Sequence, residues 1–191
     1  MDNFSSLKLA LRMILITTSR RPTRMMRTFC NDLANTIPSL KRVNRGKMSS
    51  HEISEKAIDI GADKVLIIDR WKGRPGRMRF FEVKDGLYQI PPQIYIRGVK
   101  FRREFNVKRI VSRKVFIDIS EEKVEIQRLG EMLSGFFELP VKVDEKSGSQ
   151  KNIVMRLSSE LDNVIRLSFY QMPKNIEIGP RIRISHAVWK I

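Results

Sequence analysis

Eight cations crowd into one short stretch. Arg20, Arg21, Arg24, Arg27, Lys41, Arg42, Arg45 and Lys47 lie between Thr17 and Lys47 and meet a single acid, Asp32. At this density guanidinium and ammonium groups bind anions, phosphates above all: each contact releases counterions, and the planar Arg fork matches phosphate oxygens in pairs. Turnover needs other groups. Ser19 as nucleophile with His51 as base is one pairing on offer, but no spacing brings the two together, and Ser19 reads better as a helix cap. Glu121, Glu122 and Glu125 read as acids favoured at a helix start rather than as metal ligands. No G-x-G-x-x-G, Walker loop, H-E-x-x-H or C-x-x-C occurs. The segment Gly73-Arg-Pro-Gly76 lacks the Lys-Ser/Thr and the strand-to-helix setting of a phosphate loop. The expectation is a binding protein with no catalytic residues, no metal and no cofactor.

The remaining composition bounds the partner. The chain has 191 residues, a net charge of +16 and a sequence pI near 10.4. An excess of this size points to a polyanion, nucleic acid first and an anionic membrane second. Hydrophobic residues make up 41%, enough for a folded core. A single cysteine, Cys30, excludes an internal disulfide and reads as a core residue. No apolar run reaches the length of a membrane span and no signal-peptide pattern is present, so a cytoplasmic protein with no membrane partner is expected. DNA binding finds no helix-turn-helix or zinc motif.

Strands and helices must hold the basic stretch in place. Met13–Thr17 is a branched apolar run, read as a buried strand. A helix follows to about Ile37, capped by Ser19 or Thr23 and ended by Pro38. Met26, Phe29, Cys30, Leu33 and Ile37 share one face. Lys41–Val43 is a short extended piece. A second helix spans Met48–Ile60, capped by Ser49 or Ser50 and stopped by Gly61. Strands are expected at 64–69, 78–83 and 93–105, with a basic turn at Trp71–Gly76 and a hairpin turn at Asp85-Gly86. Beyond a linker, a strand at 114–119 leads to a helix from Glu121 to Phe137 capped by Ser120, with Val124 among its apolar contacts. Short strands follow at 141–143, 153–157, 164–170 and 176–184, the first of them ahead of a loop at 144–151.

The second half repeats the first: strand, Ser-capped helix, proline, short strand. Ser19 aligns with Ser120 and Pro38 with Pro140. YQIPPQIYI (88–96) matches YQMPKNIEI (170–178) at five of nine positions. The reading is α/β, two tandem similar half-domains, each a mixed sheet with helices. The repeats run over about 12–105 and 113–185, which divides the chain into a basic N-terminal half (1–106), a linker (107–114) and a C-terminal half (115–191). The halves differ in charge. Residues 97–114 add Arg97, Lys100, Arg102, Arg103, Lys108, Arg109, Arg113 and Lys114 against Glu104 alone, whereas residues 115–165 hold six cations and ten acids.

Three strings together, TTSRRPT, TIPSLKRVNRG and IEIGPRIRI, resemble the Brix-domain family of ribosome-biogenesis proteins, and its compact archaeal members most. The resemblance runs from about residue 12 to residue 189. It implies two halves, each similar to the anticodon-binding domain of class II aminoacyl-tRNA synthetases. It also implies an rRNA-binding factor that assists pre-rRNA processing and subunit assembly without catalysis, with rRNA or pre-rRNA and pre-ribosomal proteins as partners. The alternatives are an RNA-processing or RNA-modifying enzyme and a tRNA-binding module of the translation apparatus. The candidate RNA contacts are Ser19, Arg20, Arg21, Arg24, Arg27, Lys41, Arg42, Arg45, Lys47, Arg97, Lys100, Arg102, Arg103 and Arg181, the last from the family's Gly-Pro-Arg element. Trp71 is the aromatic favoured for stacking on a base.

Overall fold

The computed structural model describes residues 12–107, 114–120, 123–141 and 152–190. Residues 108–113 of the expected linker (107–114), with Lys108, Arg109 and Arg113, lie outside the described residues, as do Glu121, Glu122, the last two residues of the strand expected at 141–143 and the loop at 144–151.

The first unit is β1 (Met13–Thr18), α1 (Arg24–Thr36), β2 (Leu40–Arg42), α2 (Ser50–Asp59) and β3 (Ala62–Trp71). β1 pairs in parallel with both β2 and β3. Its residues alternate between two covered faces, which is why the run is apolar throughout. Ile14 and Ile16 pack with Met26, Phe29, Cys30 and Leu33 of α1, while Leu15 packs with Ile53 and Ala57 of α2. The two helices therefore cover opposite sides. α1 is capped by Thr23, whose Oγ1 accepts from Met26 N at 3.4 Å. Ser19 is not the cap, since its Oγ accepts from Arg70 N at 3.3 Å. α2 carries a full capping box between Ser49 and Glu52.

From β3 the chain turns antiparallel into β4 (Arg74–Val83) and β5 (Leu87–Lys100). The expected basic turn at 71–76 is a tight hairpin instead. Lys72 and Gly73 take positive φ (45° and 78°), so Trp71 pairs directly with Arg74. β5 ends at Lys100, short of the expected 105, because Arg102–Phe105 forms a 3-10 turn. β6 (Val115–Asp118) leads to α3 (Val124–Phe137). α3 starts later than expected. Asp118 Oδ1 accepts from both Ser120 N (3.1 Å) and Ser120 Oγ (2.6 Å), which withdraws Ser120 from capping. Lys123 is the cap position, without a side-chain bond, and Val124 is 76% exposed rather than core. β7 (Ile153–Ser159), β8 (Ile165–Gln171), β9 (Ile176–Glu177) and β10 (Arg181–Val188) complete the chain, so the single strand expected at 176–184 is divided in two.

The ten strands among the described residues join one sheet of order β2-β1-β3-β4-β5-β10-β8-β7-β6, with β9 beside β8. β6 pairs in parallel with β7, and Val141 makes a parallel bridge to Ile117. One apolar cluster runs through both ends of the sheet, from Ile14 and Phe29 to Phe136, Met155 and Phe169. The nine-residue match does not mark equivalent positions. Its first copy lies within β5, and its second runs from the end of β8 through a turn into β9. Identical side chains there serve different backbone paths.

Candidate nucleic-acid interface

The loops that leave the C-terminal ends of β1 and β2 diverge, one toward α1 and the other toward α2. A divergence of this kind at the carboxyl ends of parallel strands opens a crevice, the place where α/β sheets bind ligands. Here the crevice is about 380 Å³, lined by Thr17, Thr18, Pro22, Arg27, Cys30 and residues Arg42 to Gly46. Its walls are pinned by backbone. Val43 N donates to Ile16 O at 3.0 Å and Thr17 Oγ1 donates to Val43 O at 2.9 Å. Ser19 N donates to Ile68 O at 2.8 Å, and Thr23 Oγ1 donates to Gly73 O at 2.7 Å. Ser19 is thus engaged with the backbone of the neighbouring strand.

The predicted contacts divide into two groups. Arg27, Arg42 and Arg45 line the crevice, with Arg20, Arg21, Arg24, Lys41 and Lys47 on the elements that frame it. Arg27 Nη1 donates to Pro22 O at 2.9 Å, and Arg42 donates to Asn31 Oδ1 (2.8 Å) and Asn44 Oδ1 (2.6 Å). Neutral acceptors orient these guanidiniums without cancelling their charge. Among the described residues, the side chains of Arg20, Arg21, Arg24, Lys41 and Lys47 make no ion pair. The second group is not brought to the crevice. Arg102 N donates to Asp32 Oδ2 at 2.9 Å near the end of α1, and Arg103 lies over the Phe101 ring. Lys100 and Arg181 both lie over the Phe105 ring. Arg97 is 3.6 Å from Asp162 and, with Trp71, Lys72 and Arg74, borders a separate cavity of about 370 Å³. Arg181 is held by the Glu177 carboxylate.

The sheet face opposite α1 and α3 carries a further arginine array, of which sequence reasoning assigned only Arg181. Asp69, Arg77, Tyr95 and His186 are successive cross-strand neighbours on β3, β4, β5 and β10. The Tyr95 and His186 rings stack at 4.5 Å. Asp69 accepts from Arg77 Nε at 2.8 Å and from Arg79 Nε and Nη2 at 2.7 and 3.0 Å. The same pattern continues with Arg156 on Asp118 (3.2 Å), Arg183 on Glu160 (2.8 Å) and Arg181 on Glu177. These five arginines are paired with carboxylates, whereas among the described residues those at the crevice make no ion pair. The i, i+2 spacing of Arg77 and Arg79 was the available signal, since a pleated strand puts both on one side. Their shared partner Asp69 lies on another strand and leaves no local mark. Trp71, at the end of β3, is 69% exposed beside Arg70 and Arg77.

The groups that a catalytic reading would use are placed elsewhere. His51 lies on α2, exposed and 3.5 Å from Glu55. Cys30 is fully buried, and burial pushes its thiol up to about 12 against the lowering influence of Arg42. Among the described residues no group of three or more His, Cys, Asp or Glu is placed to hold a metal ion, and no helix is long and apolar enough to cross a membrane.

Fold and site together define a mixed α/β protein with a cation-lined crevice at the carboxyl ends of its parallel strands. The chain belongs to the Brix-domain family of ribosomal biogenesis proteins. It is 32% identical over 134 residues to a Pyrobaculum aerophilum protein named "Probable Brix domain-containing ribosomal biogenesis protein", covering 67% of this chain and 70% of that one. A Pyrococcus horikoshii protein of the same name is 42% identical over 96 residues, 50% of this chain. That match spans 43% of the Pyrococcus protein's length. No family model matches the chain. The crystal structure of a "probable ribosomal biogenesis protein from Aeropyrum pernix K1" superposes with a TM-score of 0.73 at 25% identity, covering 90% of this chain and 94% of that one. Mil, an archaeal Imp4-like protein, shares the fold with a TM-score of 0.68 at 19% identity, over 91% and 97% of the two chains.

Proposed function

We propose that this chain is a non-catalytic ribosome-biogenesis factor that binds rRNA or pre-rRNA through the basic end of β1, α1 and β2, and so assists subunit assembly and pre-rRNA processing in the cytoplasm. Family membership supports the biogenesis role. One observation carries the RNA reading: among the described residues the cations around the crevice have no carboxylate partner, while arginines across the open sheet face are neutralised in pairs. Unpaired cations gain most from phosphate, because binding costs them no existing ion pair. The tandem-half reading belongs to the same proposal. The parallel triplets of β2, β1 and β3 and of Val141, β6 and β7 stand at opposite ends of the sheet, and the β5–β10 pair lies between them. That arrangement supports two related halves.

Arg20→Ala with Arg24→Ala tests the reading. Retention of an rRNA fragment is expected to weaken, with its salt slope shallower by roughly 1–2, about one unit for each phosphate no longer neutralised. The melting temperature is expected to stay within about 2 °C, since surface changes of this kind cost little. Unchanged RNA affinity, or unfolding of the variant, would remove the assignment.

A further inference from the structure

Arg45 stands apart from the other cations. Its residue exposure is 8%, and its Nε is sealed from solvent without a hydrogen-bond partner among the described residues. Among the described residues no ion pair holds it, although Asp69 and Glu52 are near enough to be felt. Burial first, and then the charges of Arg20 and Arg79, push its pKa below the ordinary guanidinium value. Nothing in its backbone setting demands a cation. The turn there reaches Gly46 at φ 53° and lets Met48 N donate to the backbone Arg45 O, a bond that uses no side chain. A guanidinium with one N–H sealed from water and unbonded costs stability unless something else offsets its charge. It lines the crevice beside Arg27 and Arg42, both of which are held by neutral acceptors that leave their positive charge uncancelled.

We infer that the crevice between the carboxyl ends of β1 and β2 is a built site for one phosphate group, with Arg45 as its principal donor and Arg42 and Arg27 completing the positive wall. The inference rests on the RNA-binding reading and sharpens it. One phosphate of the bound strand is held in a fixed pocket, while the surrounding cations contribute field. The phosphate comes from the RNA chain, as an internal phosphodiester or a terminal monophosphate, or from a free phosphate compound.

The test uses the full chain and Arg45→Met, which preserves the apolar stem and removes the charge. In chloride alone Arg45→Met is expected to melt at or above the wild type, because an unpartnered charge has left the interior. Inorganic phosphate at matched ionic strength is expected to raise the wild-type melting temperature by about 3–6 °C per tenfold concentration once above its dissociation constant. Arg45→Met is expected to show no such rise. Short single-stranded RNAs with a 5′-phosphate or a 5′-hydroxyl separate the sources. Loss of about tenfold in affinity for both, on going to Arg45→Met, indicates an internal phosphodiester. Loss for the 5′-phosphate form alone indicates a terminal group. Unchanged RNA affinity together with the phosphate-dependent rise indicates a free phosphate compound. The inference is overturned if phosphate stabilises the two proteins equally, or if Arg45→Met melts well below the wild type in chloride, since Arg45 would then be a structural residue. RNA binding by both proteins in either of those cases would leave the broader reading standing. Absence of RNA binding by the wild type would remove the broader reading and not the phosphate site.

Discussion

Asp69→Asn isolates the role of a single carboxylate on the open sheet face. Asp69 is 9% exposed and accepts three hydrogen bonds of 2.7–3.0 Å from Arg77 Nε and from Arg79 Nε and Nη2. Asn keeps the shape and one acceptor but removes the charge, so two guanidiniums lose their counterion together. Breaking a fully buried pair costs about 3–5 kcal/mol. The Arg77 and Arg79 side chains are 36% and 27% exposed, so water recovers part of their solvation. The expected loss is therefore about 2–3 kcal/mol, or roughly 4–12 °C in melting temperature for a chain of this size. Urea denaturation followed by circular dichroism measures it. RNA affinity at low salt is expected to hold or rise in the same variant, with a salt slope steeper by about 1, since a cation is released toward solvent. A melting temperature equal to that of the wild type would refute the reasoning, because the arginines would then be held by packing alone.

Two further outcomes follow from the structure. Burial raises the Glu177 pKa, but bonds from Arg181 and Ser168 outweigh it and leave the carboxyl below its ordinary 4.5; Asp118, bonded by Ser120 and Arg156, lies below 3.8 in the same way. A depressed folded pKa stabilises above the unfolded value and is lost as pH falls through the folded one, so the urea midpoint is expected to decline on acidification from pH 5 to pH 3, and Glu177→Gln to decline less steeply. Gly76→Ala places a Cβ 2.2 Å from Trp71 Cβ and 3.0 Å from Trp71 N. Backbone cannot yield as a side-chain end does, so a loss of about 2–3 kcal/mol is expected in the same urea assay, and wild-type stability would show the hairpin to be free to shift.

The first half of the chain was legible because its signals are local. The 3.6-residue spacing of Met26, Phe29, Cys30 and Leu33 sets the buried face of α1, and Ser49 with Glu52 marks the start of α2. The basic stretch was legible for the same reason, and it is gathered at one crevice because β1 and β2 are parallel neighbours. What was not legible depends on partners distant in sequence or on backbone conformation. Ser120 looks like a cap until Asp118 captures it. Trp71–Gly76 looks like a long turn because positive φ at Lys72 is invisible in composition. Asp69 gives no hint that it holds two arginines eight and ten residues on, and Arg45 no hint that it is buried. The joining of all strands through the β5–β10 pair also lies beyond any local pattern.

An open sheet has two outer strands, and each is a template on which another chain can build. In this molecule β2, one of them, is three residues long and carries Lys41 and Arg42. Short length and charge are the means by which soluble proteins keep such rims from recruiting strangers. The same cations that suit a polyanion therefore guard the fold against growing sideways into its own copies. Neutralising Lys41 and Arg42 would remove the charge and leave the shortness of β2 as the rim's remaining guard, so a lost polyanion site and a stickier edge would arrive together.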